Sequence, residues 1–254
     1  MLAAERRDLL LARLRSDGKL VAKDLAAELG LSEDSIRRDL RELAAAGLCE
    51  RVYGGAVPAS PALADYATRR DVEPTSKQGV AKHAARLIRP GSIAILDGGT
   101  TTLAVARALP RDLECTVVTH SPTIVSALLD RPRVEIILIG GRVFKHSAVT
   151  CGAAAVEAAR GISAQVFLLG VTGVHPIHGL TTGDAEEAAM KRALARRAAD
   201  TYALASVEKL GAVSRFEVLP LRDVAGIVTD GHDNDVVDEL SARGVNMLGR
   251  AARA

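Results

Sequence analysis

Hydrophobic positions in the first sixty residues recur at helical spacing in three short runs. Leu10 and Leu14 stand four apart in residues 2–16, a segment that stops near Asp17-Gly18. Val21, Leu25 and Leu29 repeat every fourth residue and stop at Gly30. The third run opens after Ser32, a residue type that caps helices, with Glu33 and Asp34 favourable in the first turn. It reaches about Ala46 and ends at Gly47, glycine being common just past a helix. An extended stretch, Leu48 to Val52, and then Gly54-Gly55 complete the segment. Helix, helix, tight turn, helix and hairpin is the order of a winged helix-turn-helix.

Pro58, Pro61 and Pro74 frame a polar stretch that reads as a linker. From Ser76 the pattern changes. Strand-like apolar runs (Ile93–Asp97, Cys115–Thr119, Val134–Ile139, Val166–Gly170, Tyr202–Ser206, Ala225–Thr229) alternate with helical ones, such as 101–109, 121–129, 152–160 and 184–199. That alternation predicts an α/β fold, a mainly parallel, Rossmann-like sheet with helices on its faces. The chain so divides into a winged helix-turn-helix over 1–57, a linker over 58–75 and an α/β domain over 76–254. There is no internal repeat and no low-complexity segment, and residues 251–254 read as a loose tail.

Composition excludes more than it selects. With 254 residues, 48% hydrophobic and 25% charged, the chain reads as a soluble globular protein. No apolar run is long enough to span a bilayer. Glu5, Arg6, Arg7 and Asp8 near the start rule against a signal peptide. Cys49, Cys115 and Cys151 are few and contain no Cys-x-x-Cys pair, so the expectation is a reducing cytoplasm without disulfides or a structural zinc. Net charge is only +2, and within 1–57 ten basic residues meet ten acidic ones. Any case for nucleic acid therefore rests on where charges sit. Scarce aromatics, three Tyr, three Phe and no Trp, argue against a base-stacking platform.

On a helix over 33–46, Ile36, Leu40 and Leu43 share one narrow arc, and Arg37, Arg38 and Arg41 share another. A core stripe beside a basic stripe suits a helix lying in the major groove, where arginine can grip a guanine edge or a phosphate with two donors. Ser35 stands near the helix start, and Arg51 and Tyr53 around the hairpin could hold the DNA backbone. The competing reading is a solvated face, since Glu33 and Asp34 lie four residues before Arg37 and Arg38.

The surrounding sequence weighs in. The run Leu31-Ser-Glu-Asp-Ser-Ile-Arg-Arg-Asp-Leu40, then Leu43, Gly47 and Tyr53-Gly-Gly-Ala56, closely resembles the DeoR family of transcriptional regulators. The resemblance implies that this helix is the recognition helix, with Ser35 where threonine is usual and Tyr53 where histidine is commoner. Ser32, Ser35, Arg37, Arg38, Arg41, Arg51 and Tyr53 are the candidate DNA-contacting residues.

In the α/β part, the strand Ile93–Asp97 runs straight into Gly98-Gly99-Thr100-Thr101-Thr102 and a helix. Glycines let a ligand approach the backbone, and free N–H groups at a helix start attract an anion. The loop is neither a P-loop, lacking Gly-Lys-Ser/Thr, nor a Gly-x-Gly-x-x-Gly fingerprint, so ATP and NAD are poor candidates and no cofactor is expected. Gly179-Leu-Thr-Thr-Gly-Asp184 enters a helix carrying Glu187 and Lys191, which read either as a surface ion pair or as ligand groups. Lys209 follows another strand, and ligands of open α/β sheets collect at carboxyl ends of strands.

These segments, with Gly140-Gly141, Gly170-x-x-Gly173 and Lys209-x-Gly211, resemble the DeoR sensor domain over essentially its whole length. That domain is similar to ribose-phosphate isomerases and usually binds a phosphorylated sugar. The resemblance implies that Thr100, Thr101 and Thr102 hold phosphate and that Thr181, Glu187, Lys191 and Lys209 complete the site, beside Asp97 and Gly99. Where the family commonly has Asp-Ser-Ser-Lys, this chain has Ser206-Val-Glu-Lys209, which bears on the sugar accepted.

Other residues read more plainly. His175 and His178 are loop histidines near a pocket, with no third metal ligand signalled nearby. His120-Ser121 lacks a Gly-x-Ser-x-Gly elbow. Cys151 reads as a small buried residue, and the basic run Lys191, Arg192, Arg196 and Arg197 as a solvated face or a subunit contact. The expectation is a cytoplasmic, homodimeric or homotetrameric regulator, a repressor of a sugar operon released by a phosphorylated sugar, and not an enzyme. The alternative is a sugar-phosphate isomerase with an accessory N-terminal domain, but the Asp-Gly-Ala-Asp-Glu motif of those isomerases is absent.

Overall fold

A computed structural model describes residues 2–230 and 235–249; the tail 251–254 lies outside them. The N-terminal unit consists of α1 (Ala3–Asp17), β1 (Leu20–Val21), α2 (Ala22–Leu29), α3 (Glu33–Ala45), β2 (Cys49–Val52) and β3 (Gly55–Pro58). Its core gathers Leu10, Leu14, Leu25, Ile36, Leu40 and Leu43, the residues spaced for it in the sequence. Val21 is the exception: it is exposed just before α2, and Leu20 is buried in its place. The cause is β1, a strand too short to leave a periodic signal, which pairs antiparallel with β3 and completes a three-stranded sheet. A side chain at Gly55 would stand 1.7 Å from the Leu20 carbonyl oxygen, so only glycine lets β1 approach.

The remaining elements are α4 (Tyr66–Arg69), α5 (Pro74–Ala85), β4 (Ile93–Leu96), α6 (Thr100–Ala108), β5 (Cys115–Thr119), α7 (Pro122–Leu128), β6 (Val134–Leu138), β7 (Arg142–Phe144), β8 (Val149–Cys151) and α8 (Ala153–Ala159). After them come β9 (Ala164–Gly170), β10 (Gly173–His175), β11 (Gly179–Thr182), α9 (Ala185–Ala195), β12 (Ala198–Leu204), β13 (Phe216–Leu219), β14 (Gly226–Val228), α10 (Asp235–Ala242) and β15 (Met247–Leu248).

Seven strands form one all-parallel sheet in the order β15-β14-β12-β9-β4-β5-β6. Inner parallel strands are covered on both faces, which explains their nearly continuous apolar runs, while on the edge strand β6 Ile137 and Leu138 stay exposed. Successive residues feed opposite cores: Ala94 and Leu96 pack with Val80, Val105 and Ile124, while Ile95 packs with Phe167, Met190 and Leu194. The chain moves from β4 outward through β5 and β6, then returns to lay β9 on the other side of β4. That reversal opens a crevice at the carboxyl ends of β4 and β9.

Two readings need correction. The helix expected over 184–199 ends at Ala195, because Ala198 already pairs with Ala164 of β9; sheet pairing overrides the helix preference of alanine. The stretch 58–75, expected as a polar linker, is a docked strap. Ala59 bridges Val213, Ser60 Oγ donates to the Thr172 carbonyl, and Tyr66 OH bonds Thr123 Oγ1 at 3.1 Å. Ser60, Ala62 and Arg69 are buried.

Candidate functional site

Two regions gather the candidate residues. On α3, Ser32 caps the helix: its Oγ accepts from Ser35 N at 3.2 Å and lies 3.0 Å from Ser35 Oγ. Arg37, Arg38 and Arg41 are exposed together. Arg37 pairs with Glu33 at 2.8 Å and Arg41 Nε donates to the Arg37 carbonyl, whereas Arg38 makes no hydrogen bond or ion pair among the described residues. Asp39, between them, is buried and bound by two nitrogens of Arg6, which fastens α3 to α1 and fixes which face the arginines present. Tyr53 is fully exposed at the tip of the two-residue turn between β2 and β3. Arg51 and Tyr53 border a cleft between the hairpin and the α/β domain.

The second region is the crevice between β4 and β9. Gly98 and Gly99 carry the chain from β4 into α6. A Cβ at Gly98 would stand 2.0 Å from Val149, and Gly99 has φ 110°, a conformation that favours glycine. Gly99 gives α6 no side-chain cap, so N–H groups of the first turn are left without helical partners. Thr100, Thr101 and Thr102 line a cavity in front of them.

Four cations reach this cavity, from four different parts of the chain: Arg69, Lys77, Lys191 and Lys209. Lys209 Nζ donates to Thr101 Oγ1 at 2.8 Å and has no carboxylate within ion-pair distance among the described residues. Burial pushes its pKa down to about 8; Glu208 opposes the shift, and Lys77, Arg69 and Lys191 add to it. Lys77 donates to the carbonyls of Arg69 and Val72, stapling the strap, and burial lowers its pKa as well. Arg69 Nη2 reaches the His146 carbonyl at 3.3 Å and Ser147 Oγ at 3.4 Å, and burial lowers it against the pull of Glu187.

Lys191 is held differently, by a buried pair. It donates to Asp97 Oδ2 at 2.5 Å and the Gly170 carbonyl at 3.0 Å, with Glu187 at 3.4 Å. Burial opposes its charge, but Asp97 and Glu187 outweigh burial and raise its pKa. Asp97 also accepts from the Gly170 N–H at 2.8 Å and lies 2.7 Å from His120 Nε2. Burial would raise the Asp97 pKa, yet Lys191 and His120 hold it at about 2.

Most of the expected effector residues therefore meet at one cavity: Gly99, Thr100–Thr102, Glu187, Lys191 and Lys209. Three readings differ. Asp97 is fully buried behind the wall, bound to protein on all sides, and serves to hold Lys191. Thr181 Oγ1 points away, accepting from Ser214 N at 2.9 Å; Thr182 lines the cavity instead, its Oγ1 3.4 Å from Glu187 Oε2. Neighbours on a strand face opposite ways, so the sequence pair Thr-Thr hides which one serves. Lys191 belongs to no solvated face. Sequence reasoning also missed Arg69 and Lys77, which lay in or beside the presumed linker.

The remaining candidates are accounted for locally. Ser121 Oγ bonds Thr123 and the Ala148 carbonyl, not the His120 ring. His175 Nδ1 accepts from Ile177 N and His178 N, closing the β10–β11 turn, and burial, then His178, lowers its pKa to about 4. Cys49, Cys115 and Cys151 are buried and unpaired. No helix of the described residues is long and apolar enough to cross a membrane.

Comparison with known proteins matches both regions. A family profile described as "DeoR-like helix-turn-helix domain" covers residues 6–62, and one described as "DeoR C terminal sensor domain" covers 72–231. The "HTH-type transcriptional regulator GlpR" of Haloferax volcanii is 33% identical over the full length of both chains. The "HTH-type transcriptional repressor GlcR" of Bacillus subtilis is 30% identical over 98% of this chain and 96% of its own. A ribose 5-phosphate isomerase A from Methanocaldococcus jannaschii aligns over 52% of each chain at 15% identity, with a TM-score of 0.39.

Proposed function

The chain belongs to the DeoR family of transcriptional regulators, and on that premise we propose that it represses a sugar operon by laying α3 in the operator and is released by a sugar phosphate bound at the start of α6. The observation that carries the effector half is Lys209: a buried ammonium beside Thr101 at an uncapped helix start, with no carboxylate at ion-pair distance among the described residues. A phosphate supplies the missing charge and accepts from the free N–H groups. Thr182, Glu187 and Lys191 form the rest of the wall.

The DNA half rests on Arg37, Arg38 and Arg41 reading the major groove, with Ser32 and Ser35 at the helix start and Arg51 and Tyr53 on the backbone. Paired half-sites call for a homodimer or homotetramer in the cytoplasm. The strap joins the halves. It leaves β3, binds Thr172 through Ser60, and sends Ala62 and Arg69 to the cavity, while Arg215 reaches Glu50 of the hairpin at 3.6 Å. A ligand that prefers one strap position shifts the hairpin with it, and about 1–3 kcal/mol of coupling suffices to change occupancy.

The test is binding of the full chain to DNA upstream of its own gene, over a salt series, with and without a panel of sugar phosphates and their unphosphorylated sugars. Salt-sensitive binding released only by a phosphorylated member supports the proposal. Binding that ignores the whole panel defeats its effector half. Arg38→Ala is expected to weaken operator binding by about 1–3 kcal/mol, roughly 5- to 150-fold, without moving the melting temperature. Equal affinity for the variant would remove Arg38 from the interface.

Effector affinity should also depend on pH in a defined way. Free Lys209 loses its proton near pH 8, and a bound phosphate dianion favours the protonated form. Affinity is therefore expected to hold below pH 8 and to fall above it. At pH 8 binding takes up about half a proton. Calorimetry in buffers of different ionisation heat reads that uptake directly, and no uptake between pH 7.5 and 8.5 excludes Lys209 from the phosphate.

A further inference from the structure

Two buried polar atoms in the cavity wall lack any hydrogen-bond partner among the described residues: Nε of Arg69 and Oε2 of Glu208. One is a donor and the other an acceptor. Buried groups of this kind are rarely left unpaired, because each forfeits its hydration with nothing in return. The only other such atom among the described residues, Arg131 Nε, belongs to a guanidinium whose other nitrogens hold the carbonyls of Leu109 and Arg107. What sets Arg69 and Glu208 apart is that they share one cavity, an unpaired donor and an unpaired acceptor on the same wall.

We infer that Arg69 and Glu208 select the sugar part of the bound phosphate ester, Glu208 Oε2 accepting from a hydroxyl and Arg69 Nε donating to an oxygen of the same polyol. This deepens the sugar-phosphate reading of the cavity and rests on it. Placement supports the outward role of Arg69. Thr101, Glu208 and Lys209 border only the inner cavity, whereas Arg69 and Glu187 border both it and an outer vestibule. A phosphate seated on α6 thus sends its sugar outward past Arg69. Glu208 Oε1 is fixed by Ser206 Oγ at 2.8 Å, which sets where Oε2 points.

Charge adds a limit on the ligand. Four cations, Arg69, Lys77, Lys191 and Lys209, face three carboxylates, Asp97, Glu187 and Glu208, in and behind the wall. The single net positive charge and the helix end suit one phosphate dianion. Glu208 opposes a second anionic group. The selected class is a polyol monophosphate, and sugar bisphosphates are excluded.

The experiment uses the full chain, calorimetric titration and thermal melting, with inorganic phosphate, ribose 5-phosphate, glucose 6-phosphate and fructose 1,6-bisphosphate as probes. Wild type is expected to bind a monophosphate about tenfold or more tightly than either inorganic phosphate or the bisphosphate. Arg69→Met should shrink the gain over inorganic phosphate to within about twofold, the monophosphate losing more affinity than inorganic phosphate does. Its ligand-free melting temperature should rise, since a desolvated cation has been removed; a purely structural arginine would lower it. Glu208→Gln should relax the preference for monophosphate over bisphosphate by about tenfold. Arg69→Lys keeps the charge without the fork and should lose sugar affinity as well, and Arg70→Gln, on the exposed neighbour, serves as control. The pairing is overturned if Arg69→Met weakens phosphate and monophosphate alike, or if Glu208→Gln leaves the ratio unchanged. Wild type that binds none of the probes overturns the sugar-phosphate reading itself, and this pairing with it.

Discussion

Lys209→Met is expected to give a protein that still binds its operator and is no longer released by sugar phosphate. The ammonium lies 2.8 Å from Thr101 Oγ1 at the start of α6, and α3 is in a separate unit. Methionine keeps most of the stem's volume, so the wall stays packed while the charge goes. A hydrogen bond to a charged group contributes about 1.5–3 kcal/mol, and direct Coulomb attraction in a buried place adds to it, so a loss of roughly 100-fold or more in effector affinity is expected. Titration of effector into the variant, alongside its operator affinity, checks both halves. The variant's own stability carries a second sign. Because the folded pKa, about 8, lies below the ordinary 10.5, the buried charge destabilises the ligand-free protein fully below pH 8 and ceases to do so as pH rises toward 10.5. Lys209→Met should therefore melt at or above wild type at pH 7, the advantage fading at high pH. A variant that melts lower yet still responds to effector would make Lys209 a structural strut between Thr101 and the Leu204 carbonyl.

Asp97→Ala should have the opposite character, a large loss of stability. Its carboxylate is fully buried and is shared by Lys191, His120 and the Gly170 N–H. Removing one partner of a buried ion pair costs about 3–5 kcal/mol, because the surviving charge keeps its desolvation without its counter-ion. In a chain of this size that corresponds to a fall of roughly 6–20 °C in melting temperature. Asp97→Asn, which keeps an acceptor for Gly170, should lie between. The depressed pKa fixes the pH window. The contribution is present above the ordinary value of 3.8 and is lost as pH falls toward about 2, so stability near neutrality should not change on its account. A melting temperature within about 2 °C of wild type for the alanine variant would mean that the network contributes little.

How far the sequence reached can be judged residue by residue. The α3 face was legible because helical periodicity is local: Ile36, Leu40 and Leu43 are buried, and Arg37, Arg38 and Arg41 are exposed, as their spacing requires. The same holds for the strand, glycine loop and helix start around Thr100. The strands β7, β8, β10 and β13 were not legible, being three or four residues long and set by partners elsewhere. The assignment of Thr181 failed for a related reason. Strand register decides which of two adjacent threonines faces the cavity, and a register shift falls between Leu180 and Thr181.

By itself, then, the sequence determined what depends on neighbours a few residues away: helix faces, caps, the alternation of strands and helices, and the uncapped, glycine-led start of α6. Only the tertiary structure decided which charges meet. Asp97 and Lys191 lie 94 residues apart, Lys209 and Thr101 108, and Ser60 and Thr172 112. Whether a carboxylate at a strand end faces ligand or lysine, and whether a proline-framed strap swings free or delivers Arg69 to a cavity, depends on what packs against it. Burial is a property of the whole fold, and it is burial that, among the described residues, leaves Lys209 without a carboxylate at ion-pair distance and one polar atom each of Arg69 and Glu208 without a hydrogen-bond partner.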